Sequence, residues 1–378
     1  MKNIRRICCK FIILIVPVAV YRLAKKFKRI LWTIFDDLSS PVKVPLFKRI
    51  WAWRKGFPGD RIILYKLNKT NSAEFLPDNH YSSLHPINGT FSSLIDNKVS
   101  IRYALSRYKD FLPEYYLMIY NDQLTTLPDF PADIKRPVNF EVIPYLCQKY
   151  GRIIMKPLAQ SHGDGVMMIL FEDNAFYING KKNNEVTFLK KCRQLKSYVI
   201  TECINQHEYA KSLYPRTTNT IRILTMKDFD SGSHFIAAAV QRVGQSTTYP
   251  VDNFFQGGIA FPIDTTTGVI GMGLHCKDRV EFTEIDCHPE TGMKIQGTTI
   301  PNWDIVRNKV LEMCSYLSVV PYMGWDIAVT DNGFKIVEIN SLPDVRLFQI
   351  FSPLLVNDSI RNFYQKFFNK SKHRKIKS

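Results

Sequence analysis

The 378-residue sequence contains no C-x-x-C pair and no dense cysteine framework; its eight cysteines are scattered at Cys8, Cys9, Cys147, Cys192, Cys203, Cys276, Cys287 and Cys314. That spacing excludes a disulfide-built scaffold, and reduced thiols in a cytosolic environment are expected. The doublets His275-Cys276 and Cys287-His288 make poor zinc sites, because adjacent residues of an extended chain point to opposite faces. No repeat period or low-complexity tract occurs. The unbroken apolar run 11–21 has 11 residues, against the roughly 20 that a bilayer crossing needs. No small-x-small cleavage site follows it, which weakens a signal-peptide reading, and the flanks of Arg5-Arg6 fit a twin-arginine signal poorly.

Acidic residues are missing from both ends: none precedes Asp36 and none follows Asp358. Nine basic residues lie before the first and seven after the second, leaving 35 basic against 34 acidic residues between them. The net charge of +17 is therefore terminal, and the body is nearly neutral. Terminal cationic runs favour an anionic surface, either phospholipid or nucleic acid. Here the neighbours are apolar. Leu23, Phe27, Ile30, Leu31, Ile34 and Phe35 recur near helical spacing with Lys and Arg between them. An amphipathic helix lying on a membrane fits residues 1–40 better than a nucleic-acid arm, with packing on the protein's own body as the alternative. The expected location is cytoplasmic, peripheral at the inner face of the membrane.

What is present is core material: 45% hydrophobic and 13% aromatic residues, ample for a folded protein. Pro41 and Pro45 separate the terminal segment from an N-terminal lobe over 41–140. The pattern is clearer from Glu141. A helix is expected over 141–150, closed by Gly151, and another over 302–317. Strands are expected over 152–155, 166–171, 197–203, 220–226 and 234–240, with a hairpin of 325–330 and 334–339. Mixed strands and helices in this order indicate an α+β protein, with residues 141–358 as its main domain and 359–378 as a basic tail.

Three blocks carry chemistry. In the hairpin 324–340, Glu338 and Asn340 are two apart on a strand and share a face. If Asp331-Asn332-Gly333 forms a three-residue loop, Asp326 faces Glu338, and two carboxylates with an amide oxygen make a hard-oxygen magnesium site. A two-residue turn puts Asp326 on the other face. In the second block, 151–169, a strand ends at Lys156 and the small-residue loop Ser161-His162-Gly163-Asp164-Gly165 follows. Such a loop offers N–H groups to phosphate oxygens beside a lysine charge. It differs from Rossmann and Walker loops because a strand follows it. In the third block, Glu202, Cys203 and Ile204 end a strand where backbone groups can meet an adenine edge, and Arg222 begins a strand that can reach the same cleft.

These blocks, in this order, resemble the ATP-grasp superfamily, and more narrowly its sugar-transfer-associated family, over roughly residues 75–350. The resemblance rests on Asn97-Lys98, Lys156-Pro157 with Gly163 to Gly165, Glu202 with Gln206-His207, Asn219-Thr220-Ile221-Arg222, Asn253 with Gly257-Gly258, and Asp326 with Glu338-Ile339-Asn340. It implies two α+β lobes clamping ATP. Lys98 and Lys156 would neutralise phosphates, and Ser161, His162, Gly163, Gly165, Glu202, Cys203, Ile204, Gln206 and His207 would line the nucleotide. Asp326, Glu338 and Asn340 would hold Mg2+. The implied activity is carboxylate–amine ligation through an acylphosphate steadied by Arg222, with sugar- or lipid-linked substrates in surface polysaccharide or glycoconjugate assembly. A kinase of a small molecule or lipid-linked sugar, and a non-catalytic membrane-bound scaffold, are the alternatives on the same fold. One departure stands out: Ser341-Leu342-Pro343 is followed by Asp344, where the superfamily often has glycine, so the acceptor end of the pocket is expected to differ.

Overall fold

A computed structural model describes residues 31–373, apart from Trp32, Asp36, Pro41, residues 159–162 and residues 278–280. The apolar run 11–21, most of the predicted amphipathic helix, Ser161 and His162 thus lie outside the described residues. The chain divides into two compact units. No helix among the described residues is long and apolar enough to cross a membrane.

The first unit contains residues up to Leu84 together with Pro353–Val356. Its described residues between 31 and 39 are helical. They are followed by α1, Leu46–Lys55, which Gly56 ends in a left-handed conformation. The core of this unit is partly ionic. Arg49 is buried and pairs with Asp37 at 2.7 Å, while Trp53 Nε1 donates to the other Asp37 oxygen at 2.7 Å.

The second unit, His85–Ser352 with the chain from Asn357 onward, contains two seven-stranded antiparallel sheets. The strands are β1 Tyr115–Tyr120, β2 Gln123–Thr126, β3 Arg152–Pro157, β4 Met167–Glu172, β5 Ala175–Ile178, β6 Lys181–Asn183, β7 Ser197–Glu202, β8 Ile221–Lys227, β9 His234–Val243, β10 Ile259–Ile263, β11 Gly273–Lys277, β12 Glu281–Ile285, β13 Tyr322–Thr330 and β14 Gly333–Asn340. The first sheet runs β2-β1-β7-β3-β4-β5-β6 and the second β12-β11-β10-β9-β8-β13-β14.

Helices cover the sheets with the faces their sequences predict. In α3, Val142–Tyr150, the residues Val142, Ile143, Leu146 and Cys147 are buried at helical spacing and pack on β3 and β4. In α6, Trp303–Tyr316, the buried stripe is Trp303, Val306, Val310, Met313 and Cys314. That stripe shares one core with Ile221, Ile223, Trp325, Ile327 and Ile339 of the second sheet. Period-two alternation sends the intervening residues, among them Arg222, Asp326 and Glu338, to the opposite face. Two more helices matter below: α2, Lys98–Ala104, and α5, Glu208–Leu213; α4, Glu185–Gln194, covers the first sheet, and the unit ends in α7, Asp358–His373.

The β13–β14 hairpin corrects one expectation. Its turn leaves two residues, Asp331 and Asn332, between Thr330 and Gly333, not three. Alone this would place Asp326 across from Val337. A bulge at Val337 inserts one residue into β14, so the register passes from Ile327↔Ile336 to Asp326↔Glu338. β14 is an edge strand, where bulges are best tolerated.

Candidate active site

Four neighbouring strands of the second sheet put a row of charged side chains on one face. Asp326 stands across from Arg222 on β8 and from Glu338 on β14, while Gly324 stands across from Asn340. Asp326 is buried and both its oxygens are held: Oδ1 accepts from Arg222 Nε at 2.5 Å, and Oδ2 accepts from an Arg222 terminal nitrogen at 2.6 Å and from Arg242 at 3.0 Å. Burial alone would raise its pKa. The two guanidinium groups outweigh burial and hold the carboxyl at about 2. Arg242 also reaches Asp252 at 3.2 Å and the Thr220 hydroxyl at 2.6 Å, and that hydroxyl donates to Asp252 at 2.5 Å. Asp252 is buried, and its pKa is raised by burial despite Arg242.

Two lysines approach Glu338 from other elements. Asn97 caps α2 by accepting from the backbone N–H groups of Val99 and Ser100, both at 3.0 Å. The cap fixes the first helical residue, Lys98, whose buried side chain lies 3.5 Å from Glu338 Oε2. A lysine at a helix start opposes the helix dipole, so Glu338 is its compensation. Lys156, at the end of β3, crosses from the first sheet and donates to the Val337 carbonyl at 3.5 Å. Its pKa is lowered to about 8, by burial first and by Lys98 second, with Glu338 only partly offsetting them. Asn340 Nδ2 donates to Glu338 Oε1 at 3.2 Å. A cavity of about 210 Å³ opens beside these groups, lined among others by Asp96, Lys98, Tyr115, Glu338, Asn340 and Ser341. Gly324 admits the closing loop, since a β-carbon there would sit 2.4 Å from Pro343.

The structure therefore brings Lys98, Lys156, Arg222, Asp326, Glu338 and Asn340 together. Gly163 and Gly165 both have positive φ. A β-carbon at Gly163 would meet Val251 at 2.9 Å, and the Gly165 carbonyl accepts from Tyr198 at 3.2 Å. Glu202 closes β7 by accepting from the backbone N–H of Glu114 at 3.1 Å. Cys203 lies close enough to Lys156 for the charge to be felt, though burial dominates and raises its thiol pKa; Ile204 is buried. Gln206 and His207 are spent on the frame. Gln206 donates to Thr217 O at 2.6 Å and accepts from Asn219 N at 2.9 Å. His207 caps α5 through Tyr209 N, and its own N–H bonds Val329 O at 2.8 Å. Both therefore brace the crossing from one sheet to the other.

Asn219 does the same, bonding Ala210 O and Tyr214 O. Sequence reasoning missed Arg242 and Asp252. Their signals were there: a charged residue closing the apolar strand Ala237 to Val240, and an aspartate directly before Asn253.

The family model for sugar-transfer associated ATP-grasp matches residues 85–362. The chain belongs to this family. Among solved structures, this ATP-grasp chain is similar to an L-amino acid ligase from Bacillus licheniformis, at 9% identity and TM-score 0.39, over 72% of this chain and 49% of that one. It is also similar to the ATP-grasp ligase PsnB solved with precursor peptide PsnA2 and AMPPNP, at 12% identity and TM-score 0.38, over 75% and 61%. A third is the N5-carboxyaminoimidazole ribonucleotide synthetase from Thermotoga maritima, at 11% and 0.32, over 66% and 42%. The chain thus spans less than two thirds of each of these proteins. Likeness of this degree says nothing about substrates, and the family assignment rests on the family model. No curated protein matches the chain.

The donor set fits a hard divalent cation. Asp326 and Glu338 stand opposite each other in the hairpin register, and two apposed carboxylates are relieved by a cation between them. Asp326 uses three of its roughly four acceptor directions on arginines, which leaves one on Oδ1. Glu338 and Asn340 offer the remaining oxygens; among the described residues no cluster of three or more His, Cys, Asp or Glu side chains is placed to hold a metal, so this set of two carboxylates and one amide is the oxygen site the fold provides.

Proposed function

We propose that the chain is an ATP- and Mg2+-dependent carboxylate–amine ligase. The observation that supports this most is the convergence of Lys98 and Lys156 on Glu338, beside the Asp326–Arg222–Arg242 cluster. Lys98 and Lys156 neutralise the phosphates of ATP. Glu338, Asn340 and Asp326 hold Mg2+, which when bound spreads charge over the phosphate oxygens. The acceptor carboxylate attacks the γ-phosphorus; the bond from γ-phosphorus to the bridging oxygen breaks, and ADP leaves. The acylphosphate is steadied by Arg222 and Arg242. The amine then attacks the acyl carbon, loses a proton and expels inorganic phosphate, leaving an amide. The cluster contributes position and fixed charge, which suits a chemistry that needs no side-chain nucleophile.

The family description and the cationic ends support substrates carried on sugars or lipids, and a peripheral location at the inner face of the cell membrane. The test is ATP turnover against amino acids and uronic-acid sugars. Phosphate release that needs both a carboxylate and an amine, and that is lost in Glu338→Gln, is the expected result. A stable phosphorylated product formed without amine would make the protein a kinase. Nucleotide binding without any turnover across the screen would make it a scaffold.

A further inference from the structure

The first unit has an apolar core of Ala52, Phe57, Phe75 and Leu76, yet two of its helical segments turn a charged residue inward and large apolar residues outward. On α1, Arg49 faces inward and is 6% exposed, whereas Phe47 is 71% and Leu46 58% exposed, with Ile50 at 42%. The preceding helical residues repeat the pattern: Asp37 is 3% exposed, and Phe35 and Leu38 are 68% and 52%. A helix on a protein in water places its apolar stripe inward; both segments here do the reverse. The inward charges are paired, with Asp37 Oδ1 engaged by the ion pair alone. Arg49 pairs with Asp37 and donates to Val42 O at 2.5 Å and to Val44 O at 3.2 Å, and Trp53 donates to Asp37. Gly59 makes room for the pair, since a β-carbon there would lie 2.5 Å from Arg49 Cγ. The ionic pair thus holds two helical segments with their apolar side chains outward.

The surroundings say what kind of surface those side chains meet. Lys43, Lys48, Arg54 and Lys55 are exposed around them, and among the described residues from 31 to 59 the one carboxylate is the buried Asp37. The chain leading into this patch, residues 1–30, has nine basic and no acidic residues around an 11-residue apolar run. Outward apolar side chains flanked by these four exposed cations match an anionic bilayer interface, where rings and aliphatic chains enter the acyl boundary and lysines meet headgroups. A nucleic acid would satisfy the lysines and leave Phe35, Phe47 and Ile50 in water.

We propose that the first unit docks on anionic phospholipid through Phe35, Leu38, Leu46, Phe47 and Ile50, held outward by the Arg49–Asp37 pair. This rests on the peripheral-membrane part of the proposed function and is independent of the ligase chemistry. The test is co-sedimentation of the full chain with phosphatidylcholine vesicles containing about one-third phosphatidylglycerol. Phe47→Ser with Ile50→Ser is expected to weaken binding at least about tenfold, with Phe47→Leu and Ile50→Leu retaining it. Vesicle-free ATP binding and the melting temperature should stay unchanged in both, which separates a docking failure from a failed ligase assignment or a failed fold. The proposal is overturned if the serine variant binds like the wild type while Lys25→Ala with Lys26→Ala and Lys28→Ala abolishes binding, since the leading segment alone would then adsorb. It is equally overturned if vesicles are not bound and the serine substitutions instead dissolve an oligomer, or if salt-sensitive RNA binding replaces vesicle binding.

Discussion

The ammonium of Lys156 lies 3.5 Å from the carbonyl oxygen of Val337, the residue that bulges out of β14. The bulge that brings Glu338 opposite Asp326 therefore also provides the acceptor that the lysine uses. Lys156 starts on the other sheet, so this contact joins the strand-end lysine to the acidic hairpin. It is a long hydrogen bond to a neutral acceptor, which leaves the charge mostly uncompensated and fits burial as the largest influence on its pKa.

Nucleotide affinity should depend on pH through Lys156. Its folded pKa is about 8, and phosphates bind the protonated form. As pH rises above this value the free protein loses the proton, and binding must take it back from solvent. The dissociation constant for MgATP is expected to rise by up to about tenfold per pH unit above 8. Calorimetric titration between about pH 7 and about pH 9.5 measures this, with proton uptake visible as a buffer-dependent enthalpy. Lys156→Arg should flatten the slope. A wild-type affinity constant across that range would show that Lys156 carries no phosphate charge.

Stability should move the opposite way. An unfolded lysine keeps its proton up to about 10.5, and the folded one loses it near 8. Between these values the unfolded state binds more protons, so this group's contribution to stability rises with pH. Below pH 8 the full cost of burying the ammonium is present, about 3 kcal/mol from a shift of this size. Lys156→Met is therefore expected to stabilise the nucleotide-free protein at pH 7, with a gain that shrinks toward pH 10. The same variant should lose any nucleotide-induced rise in melting temperature. Urea denaturation at several pH values checks the first part. A destabilised Met variant would mean that the ammonium is better solvated than its surroundings suggest.

Much of the frame was readable from apolar patterning. Strands over 152–155, 166–171, 197–203, 220–226 and 234–240 appear within a few residues of those positions, and the helices at 141–150 and 302–317 likewise. The β10–β12 extension was not foreseen; β12, Glu281–Ile285, is partly exposed and lacks the apolar signal that marks a strand. The hairpin turn was read one residue too long. Either a three-residue turn or a two-residue turn with a bulge pairs Asp326 with Glu338, so the residue pattern alone does not choose between them. Arg242 and Asp252 escaped because single charges at strand ends are common, and their importance lies in meeting Thr220 and Asp326 across three strands. The inverted helix α1 was beyond pattern reading altogether, since a buried arginine is visible only once its carboxylate partner is placed.

Asn97 should act on the nucleotide site without touching it. Its side chain caps α2 at two backbone N–H groups, and the cap sets where Lys98 leaves the helix. Asn97→Ala is expected to cost about 1 kcal/mol of stability and to raise the KM for ATP more than it lowers kcat, because Lys98 loses its anchor. Asn97→Asp keeps an accepting oxygen and should restore both. If Asn97→Ala melts like a cap mutant but leaves the KM unchanged, the cap does not position Lys98.

Asp326 and Glu338 face each other, yet their substitutions should behave differently. Asp326 is buried and is the meeting point of Arg222 and Arg242. Asp326→Asn preserves its shape and leaves two buried guanidinium groups sharing Asp252 and Glu338. Breaking a buried pair from one side costs about 3–5 kcal/mol, so this variant should unfold at markedly lower denaturant and lose turnover as well. Glu338 is about one-fifth exposed, and its contact with the buried Lys98 is a loose 3.5 Å. Glu338→Gln should therefore lose less stability than Asp326→Asn and lose metal-dependent nucleotide binding and turnover. Denaturation midpoints together with Mg2+-dependent thermal shifts separate the two effects. An Asp326→Asn variant as stable as the wild type would remove Asp326 as the keystone of the arginine cluster. A Glu338→Gln variant that still binds nucleotide in a Mg2+-dependent way would move the metal elsewhere.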